Sequence, residues 1–327
     1  MPHVKSASAS AHRASRRNTP SRTEADLIMS EILVTGATGN VGRQVVVQLL
    51  PTGTAARALA RQPATAGLPE GVTVAGGDLS EPDTLEGALK GTSTVFLIWP
   101  FLTTEGAPAV LEAIARHARR IVYLSSSGVN EDAERQTDPI TQLHADMERL
   151  IEESGLEWTI LRSNTIASNG RGWAQQIRTT HAVRGPDIAA TAVIHERDIA
   201  AVAVHALTED GHVGAKYVLT GPQVLSRAEQ VQTIGEAIGR RVTFERVPVQ
   251  VARRQMLADG RPPALVEALL ASAESRPVSN VITSTVEEIT GVPARTFRSW
   301  AEEHADEFRW TSKSETPRHL GDRWGAR

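Results

Sequence analysis

Short apolar runs alternate with longer stretches of helical periodicity through the first half of the chain. Continuous short runs are typical of parallel strands buried on both faces, and the periodic stretches are typical of the helices that cover such a sheet. This alternation predicts an α/β fold built on a doubly wound parallel sheet. The predicted strands are Ile32–Val34, Thr54–Leu59, Gly71–Ala75, Thr94–Ile98, Ile121–Leu124 and Leu156–Leu161.

Helix start signals stand between these strands. Ser80, followed by Pro82, predicts an N-cap, because a serine side chain can accept a hydrogen bond from the first turn. Asp138-Pro139 likewise predicts the start of a helix that ends at Gly155. The predicted helices of this half are Val41–Leu50, Glu81–Lys90, Glu105–Arg119 and Asp138–Ser154.

Beyond about Asn169 the strand–helix rhythm loosens and helical signals dominate. Asp198 is the expected N-cap of an alanine-rich helix, and Ser226 with Glu229 forms a capping box that opens another. This half is therefore predicted to be a smaller, mainly helical part that faces the substrate and packs on the first. Its predicted elements are the helix Ile199–Leu207, the strand Lys216–Leu219 and helices at Ser226–Ile238, Val249–Leu257, Pro263–Ser272 and Thr296–Glu307.

The first 23 residues differ in composition from the body of the chain. They carry Lys5 and four arginines, no acidic residue and no long apolar stretch. We expect a disordered tail rather than a secretory signal, with a transit peptide as the alternative. Removing these five positive charges from the total of −3 leaves −8 for residues 24–327, which does not favour nucleic-acid binding. The absence of cysteine excludes disulfides and cysteine-ligated metals.

The stretch from Glu31 to Leu50, EILVTGATGNVGRQVVVQLL, combines a strand, a glycine turn and a helix. Its glycines are Gly36, Gly39 and Gly42. Because glycine lacks a Cβ, backbone N–H groups in such a turn can approach a pyrophosphate, and the helix N-terminus then faces the negative charge. This order predicts a dinucleotide-binding unit, although the spacing is G-x-x-G-x-x-G rather than G-x-G-x-x-G.

Arginines stand where NAD sites carry an acidic residue. In those sites an Asp or Glu about 20 residues after the turn binds the ribose hydroxyls, whereas an arginine suits the 2′-phosphate of NADP. Arg57 falls 21 residues after Gly36, and Arg61 follows four residues later. No acidic residue occurs between Glu31 and Glu70. The fork of a guanidinium matches phosphate oxygens, so NADP is predicted over NAD, the alternative being a solvated surface arginine.

The acid–base pair Tyr-x-x-x-Lys, which most reductases with this turn carry, is absent. The chain has two tyrosines, and the residues four positions later are Ser127 after Tyr123 and Gly221 after Tyr217. No spacing of His, Asp and Glu suggests a metal site either. The sequence therefore predicts cofactor binding more firmly than it predicts catalysis.

Several motifs in combination resemble the NmrA-like family of atypical short-chain dehydrogenase/reductases. They are TGATGNVG, ARALAR, GDL, VFLIWP, YLSSSG, SGLEWTILRSN, IHERDIAAVA and YVLTGP. The resemblance covers about residues 30–308 and implies a Rossmann-type fold that binds NADP(H). Members of that family are NAD(P)H-dependent reductases or regulators that bind the nucleotide without turnover. The expected domains are a disordered tail (1–28), an NAD(P)-binding Rossmann domain (29–165), a substrate-facing part (166–308) and a second disordered tail (309–327).

The resemblance carries cofactor contacts over to matching positions of this sequence. The glycine turn would hold the pyrophosphate, Arg57 the 2′-phosphate, and residues after the fourth and fifth strands the nicotinamide half. Independently of the resemblance, Asp78 could lie along the adenosine or cap a turn. Arg162, Asn164 and Asn169 follow the sixth strand at the sheet edge where doubly wound proteins bind ligands, so they are expected to contact the cofactor, the alternative being loop and turn chemistry. The expected cofactor-binding residues are Thr35, Gly36, Thr38, Gly39, Asn40, Val41, Gly42, Arg57, Arg61, Asp78, Leu79, Trp99, Pro100, Ser125, Ser126 and Asn164.

The helix predicted from Asp138 occupies the place where reductases of this superfamily keep their general acid. His144 lies at the edge of its apolar stripe and matches a histidine common in the NmrA-like pattern. It would serve as a proton donor or as a hydrogen-bond partner of the substrate, with Glu148 holding its tautomer. The alternative is a boundary histidine paired to its own helix. Ser125 is the second expected catalytic residue, unless its cluster only caps a strand end.

These features predict a soluble, cytoplasmic NADPH-dependent oxidoreductase that transfers hydride to a small conjugated acceptor of the quinone, azo, iminium or enone type. Such acceptors need little acid catalysis because the charge delocalises on reduction, which fits the missing Tyr-x-x-x-Lys pair. The alternative is a non-catalytic regulator that senses NADP(H). The expected partner is a small-molecule substrate, with no nucleic acid, membrane or metal, and the chain is expected to be a monomer or homodimer.

Overall fold

The computed structural model describes residues 31–275 and 279–309 of the chain. Its strands are β1 (Glu31–Val34), β2 (Ala56–Ala60), β3 (Thr73–Gly76), β4 (Thr92–Leu97), β5 (Arg120–Ser126), β6 (Glu157–Ser163), β7 (Ala182–Gly185), β8 (Thr191–Ala192), β9 (Ala215–Leu219), β10 (Val224–Leu225) and β11 (Thr243–Arg246). Seven of them form one parallel sheet in the order β3-β2-β1-β4-β5-β6-β9. The predicted doubly wound parallel sheet is confirmed.

Helices cover both faces of this sheet and form most of the C-terminal part. They are α1 (Asn40–Leu49), α2 (Glu86–Leu89), α3 (Ala107–His117), α4 (Pro139–Glu153), α5 (Ala174–Thr180), α6 (Glu196–Thr208), α7 (Arg227–Ala237), α8 (Val249–Ala258), α9 (Pro263–Ser275), α10 (Thr285–Thr290), α11 (Phe297–Glu303) and α12 (Ala305–Phe308). Helices α1 and α6 share one core with the sheet, and α3 and α4 share the other. Apolar side chains at alternate positions of a strand thus point to opposite faces of the sheet and pack in two separate cores.

The chain after residue 165 contributes to the sheet and also builds a helical part of its own. Strand β9 extends the central sheet, while the pairs β7–β11 and β8–β10 lie outside it. A third core surrounds Trp300, which is fully buried and stacks on Phe297 at 5.2 Å between ring centroids. The predicted mainly helical C-terminal part is confirmed. Among the described residues, no helix is both long enough and apolar enough to cross a bilayer.

Two of the predicted helix caps form as expected. The Asp138 carboxylate accepts hydrogen bonds from the backbone N–H groups of Ile140 and Thr141, each at 3.0 Å. Ser226 and Glu229 make the reciprocal bonds of a capping box at the start of α7. Both caps depend on contacts within three residues, which is why the sequence alone predicts them.

Two other caps were predicted wrongly. The Ser80 backbone N–H and hydroxyl both donate to Asp78, and the segment that follows is a 3₁₀ turn at Pro82–Leu85 before the short helix α2. Helix α6 is capped by His195, whose Nδ1 accepts from the Arg197 backbone N–H at 3.1 Å. Asp198 instead lies inside the first turn, which frees its carboxylate for other partners.

The predicted tails, residues 1–28 and 309–327, lie outside the described residues apart from Arg309 itself.

Candidate cofactor and active site

The glycine turn connects β1 to α1 with its backbone exposed. Gly36, Thr38, Gly39 and Asn40 are exposed, whereas Ala37 between them is buried. Helix α1 has no side-chain N-cap and no acidic residue in its first turn. The amide groups at its N-terminus therefore keep their hydrogen-bonding capacity and a partial positive charge. An anionic group such as a pyrophosphate fits this position.

Two of the glycines are required by space. A Cβ built on Gly42 would lie 2.3 Å from the carbonyl oxygen of Gly36, a backbone atom that cannot rotate away. Gly36 has a φ of +60°, a backbone conformation that favours glycine. A Cβ built on it would lie 3.2 Å from the Ile98 side chain. The Gly39 N–H closes the turn by donating to the Gly36 carbonyl at 2.9 Å. The turn is thus a preformed cradle that side chains would fill, and the residues present fit a dinucleotide.

The turn lies where the strand order of the sheet reverses, between β1 and β4. Open parallel sheets bind ligands at this point, outside the carboxyl ends of the strands. The buried Thr35 joins the two strand ends, since its hydroxyl oxygen accepts from the Ile98 N–H at 2.8 Å. Its own backbone N–H donates to Phe96 at 3.0 Å. Thr35 therefore positions the edge on which a cofactor would lie.

Arg57 does not reach this edge, and the prediction that it contacts the 2′-phosphate is wrong. It is the second residue of β2, and its guanidinium bonds the Glu31 carboxylate at the amino end of β1. The same group donates to the carbonyls of Ala88 and Lys90 at 2.7 and 2.8 Å. Arg57 pairs with Leu33 in mid-strand, and its guanidinium lies at the amino ends of the strands, away from the glycine turn.

Arg61 is the first residue after the carboxyl end of β2. It is exposed, and its guanidinium has no hydrogen bond or ion pair with the residues that the structure describes. Because β2 is the neighbour of β1, this arginine lies on the same edge as the glycine turn. Nearby Arg43, on α1, donates to the Gly67 carbonyl at 2.9 Å and is already engaged. Within the ranges that the structure describes, Arg61 thus presents a guanidinium at this edge that is open to a phosphate.

The other expected residues near the adenosine half have partners of their own. Asp78 accepts from the Ser80 N–H at 2.9 Å and from its hydroxyl at 2.8 Å, so it caps a turn after β3. Leu79 is buried in the core that contains α3 and α4. The turn-cap alternative for Asp78 therefore accounts for its side chain, while contact with the adenosine stays a prediction.

On the nicotinamide side the expected residues differ in exposure. Trp99, after β4, is buried, and its indole N–H donates to the Thr103 carbonyl at 2.8 Å, whereas Pro100 is exposed. The Ser126 hydroxyl accepts from the Gly128 N–H at 3.2 Å. Asn164, after β6, uses its side-chain oxygen on Thr165 and Thr191. The Asn164 NH₂ group has no partner in the described part of the chain, and its cofactor contact stays a prediction.

Ser125 belongs to a buried ion-pair cluster. Its hydroxyl donates to Glu148 Oε1 at 2.5 Å, and both residues are buried. The Arg162 guanidinium donates to the same carboxylate, with 3.0 Å from Nε to Oε1 and 2.5 Å from Nη2 to Oε2. These contacts join β5, α4 and β6. The Ser125 hydroxyl proton and the Arg162 guanidinium are both bound to Glu148. We therefore assign neither residue a role in the proposed reaction.

His144 is half-buried in the second turn of α4, the helix that follows β5. Its Nδ1 lies 2.8 Å from the hydroxyl oxygen of Tyr123, a fully buried residue of β5. The expectation that Glu148 holds the His144 tautomer is wrong, since the Glu148 carboxylate bonds Ser125 and Arg162. Burial lowers the pKa of His144 to about 4, although the Asp138 charge opposes this shift. The imidazole is therefore neutral at pH 7.

A group of polar side chains from the C-terminal part contacts Asn40 of the glycine turn, and the sequence did not predict it. Arg171, in the 3₁₀ turn after β6, donates to the Asn40 side chain at 2.6 Å and bonds Glu307 of α12 at 3.0 Å. His304 donates to the same glutamate at 3.0 Å. Interactions with Glu196 and Glu307 raise the pKa of His304 to about 9. We call Asn40, Arg171, His304 and Glu307 the turn brace.

The sequence did not predict the roles of Tyr123 and Arg171, because their partners come from distant segments of the chain. Alternation along β5 does place Tyr123 and Ser125 on one face, and that face was the available signal for a contact with α4. In the ranges 31–275 and 279–309, no group of three or more His, Asp or Glu side chains could hold a metal ion.

Known proteins resemble this chain over most of its length. A family model described as NAD(P)H-binding matches residues 36–210. The (4-alkanoyl-5-oxo-2,5-dihydrofuran-3-yl)methyl phosphate reductase of Streptomyces griseus subsp. griseus is 40% identical over 283 residues, which are 85% of this chain and 99% of the relative. The NAD(P)H azoreductase of Xenophilus azovorans is 35% identical over 284 residues, again 85% and 99% of the two chains.

Solved structures share the fold. The triphenylmethane reductase of Citrobacter sp. complexed with NADP(H) superposes with a TM-score of 0.69 at 22% identity, over 84% of this chain and 99% of that protein. The NADPH-dependent quinone oxidoreductase of Escherichia coli complexed with NADPH gives 0.68 at 22% identity, over 83% and 99%. At these identities the comparison shows a common architecture.

Proposed function

Because the chain belongs to the NAD(P)H-binding family, we propose that it is an NADPH-dependent oxidoreductase that reduces a small conjugated acceptor. Family membership also confirms the nicotinamide nucleotide expected from the glycine turn. The observation that carries the proposal is the presence of two features at one edge of the sheet. They are the open glycine cradle after β1 and, on the helix that follows β5, a neutral histidine whose Nε2 has no hydrogen-bond partner among the described residues.

The chemistry required of the protein is modest. NADPH, when bound, supplies a hydride to one end of the conjugated system of the acceptor. The electron pair displaced there moves to an oxygen or nitrogen at the other end, and that atom then takes a proton from water. We propose that His144 donates a hydrogen bond to this atom and stabilises the charge that develops on it. The reductases among the relatives, which are named for azo and furanone substrates, support an acceptor of this kind.

Turnover of conjugated acceptors by the purified chain tests the proposal. We expect NADPH oxidation at 340 nm with at least one of four acceptors: the furanone phosphate named for the Streptomyces relative, a quinone, an azo dye and an iminium compound. His144→Ala should lower kcat about 100-fold, as loss of an oxyanion-stabilising donor does. His205→Ala removes a histidine from the far end of α6 and should leave kcat unchanged.

A chain that binds NADPH but turns over none of the four acceptors would overturn the enzyme proposal and favour a nucleotide-sensing regulator. Equal kcat losses in the two histidine variants would remove His144 from the site.

We also propose that Arg61 selects NADPH over NADH by binding the 2′-phosphate. Arg61→Glu should weaken NADPH binding about 100-fold, because a charge-assisted hydrogen bond is lost and a repulsive charge is added. NADH binding should change little. The dissociation constants of both nucleotides can be measured by quenching of tryptophan fluorescence.

Arg57→Gln is the matched control for Arg61→Glu. Arg57 holds Glu31 and two carbonyls at the other edge of the sheet. The control should therefore destabilise the fold while keeping the ratio of the two dissociation constants. An unchanged ratio in Arg61→Glu, or a changed ratio in Arg57→Gln, contradicts the assignment.

A further inference from the structure

We propose that Tyr123 is a positioning residue that holds His144 in the tautomer with its proton on Nε2. This inference rests on the proposed function, since it assigns the chemical state of the donor that acts there. The Tyr123 hydroxyl oxygen lies 2.8 Å from His144 Nδ1, with the two ring centroids 6.0 Å apart. Tyr123 is fully buried in the core between the sheet and α4, so its hydroxyl has no access to bulk water.

The direction of this hydrogen bond follows from the partners of the phenol. Among the described residues the Tyr123 hydroxyl has no hydrogen-bond partner other than His144 Nδ1, and a buried hydroxyl proton needs an acceptor. Burial raises the pKa of the Tyr123 phenol, and the Glu148 carboxylate on α4 raises it further. The phenol therefore keeps its proton and donates it. Burial lowers the pKa of His144 to about 4 against the pull of Asp138, so the imidazole is neutral and Nδ1 offers a lone pair. Glu148, the other carboxylate near this pair, forms an ion pair with Arg162 from β6.

A neutral imidazole that accepts at Nδ1 must carry its proton on Nε2. His144 Nε2 has no hydrogen-bond partner in the described ranges. The result is a fixed, uncharged N–H donor whose state does not change over the physiological pH range. The same aspartate, Asp138, that caps α4 keeps the start of this helix in place.

This state narrows the substrate class. A neutral N–H stabilises a developing negative charge but does not deliver a proton near pH 7. Acceptors whose reduction leaves a delocalised oxygen anion, such as unsaturated lactones, unsaturated ketones and quinones, tolerate that limitation and take their proton from water afterwards. Isolated ketones and aldehydes would leave a localised alkoxide and need a proton donor. The site is therefore expected to reduce conjugated carbonyl compounds and to leave isolated carbonyl groups unreduced.

Tyr123→Phe removes only the hydroxyl and tests the inference. The wild-type protein should show a kcat that is constant from about pH 5 to 9, because His144 stays neutral throughout. Without the donor to its neutral form, the pKa of His144 should rise, and the inflection on the acid side of the kcat profile should move up by about one pH unit. The ¹⁵N shifts of His144 should show Nδ1 unprotonated in the wild type and a mixture of states in the variant at pH 5 to 6.

The chain offers a matched control. Tyr217 makes the same contact with a histidine, its hydroxyl lying 2.9 Å from His212 Nδ1, on the edge strand β9. Tyr217→Phe should leave the kcat profile and the His144 shifts as in the wild type. An unmoved inflection on the acid side of the profile in Tyr123→Phe overturns the positioning role.

If Tyr123→Phe does not fold, the wild-type ¹⁵N spectrum decides alone, and a proton on Nδ1 overturns the inference. That spectrum needs no substrate, so it also separates this inference from the proposed function. If the protein shows a fixed Nε2–H tautomer but no turnover, the enzyme proposal is contradicted and the inference about Tyr123 stands. Reduction of isolated ketones at rates similar to those of quinones would contradict the substrate class.

Discussion

Gly42→Ala is expected to weaken NADPH binding by at least about 100-fold and to lower the stability of the first helix. The added Cβ would lie 2.3 Å from the Gly36 carbonyl oxygen and 2.6 Å from its carbon. Both are backbone atoms, so relief requires the turn to open, and an opened turn no longer aims its amide groups at a pyrophosphate. Equilibrium titration of the variant with NADPH, followed by tryptophan fluorescence, measures the loss.

Gly87→Ala is the matched control for this prediction. Gly87 lies in α2, and a Cβ there would meet nothing within 4 Å. Alanine is the better helix former, so this variant should be slightly more stable and should bind NADPH as the wild type does. Wild-type affinity in Gly42→Ala would show that the cradle is not the pyrophosphate site.

The largest effect on stability is expected at Glu148. Its carboxylate is buried and receives three hydrogen bonds from Arg162 and one from Ser125. Glu148→Ala would leave the Arg162 charge buried with only the exposed Glu131 beside it at 2.9 Å. Removing one partner of a buried pair destabilises a protein by about 3–5 kcal/mol. Urea unfolding of the variant measures this change in the free energy of unfolding.

A surface pair provides the comparison. Glu112 and Arg116 form an i,i+4 ion pair on α3, in which both side chains are more than half exposed. Glu112→Ala should change the free energy of unfolding by about 0.5 kcal/mol or less. A further variant that replaces both Glu148 and Arg162 by methionine should regain much of the lost stability, because the uncompensated charge is then absent. A loss at Glu148 no larger than that at Glu112 would show that the buried pair is not important for folding.

Features that depend on neighbours in the chain were predictable from the sequence. The cradle from Gly36 to Gly42 follows from its place between a strand and a helix, and the Asp138 cap follows from contacts within three residues. The parallel sheet follows from the repeated alternation of apolar runs and helices. In each case local chemistry determines the structure, so no knowledge of the tertiary contacts was needed.

Features that depend on where a strand begins, or on which elements pack together, were not predictable in this way. The rule of about 20 residues after the turn selected Arg57, but β2 begins at Ala56, and the carboxyl end of the strand presents Arg61 instead. His144 was correctly placed at the edge of an apolar stripe. Glu148 on the same helix was predicted to be its partner. The observed partner is Tyr123 of β5, and this tertiary contact leaves no local signal in the sequence.

The turn brace has a consequence for the order in which the chain can assemble. Asn40 and Arg171 are 131 positions apart, and Glu307, which bonds Arg171, belongs to the last described helix. A chain made from its N-terminus exposes the glycine turn early, whereas the braced form of that turn exists only after Glu307 has left the ribosome. The entropy of closing so long a loop grows only slowly with its length, so the delay is one of timing rather than of stability.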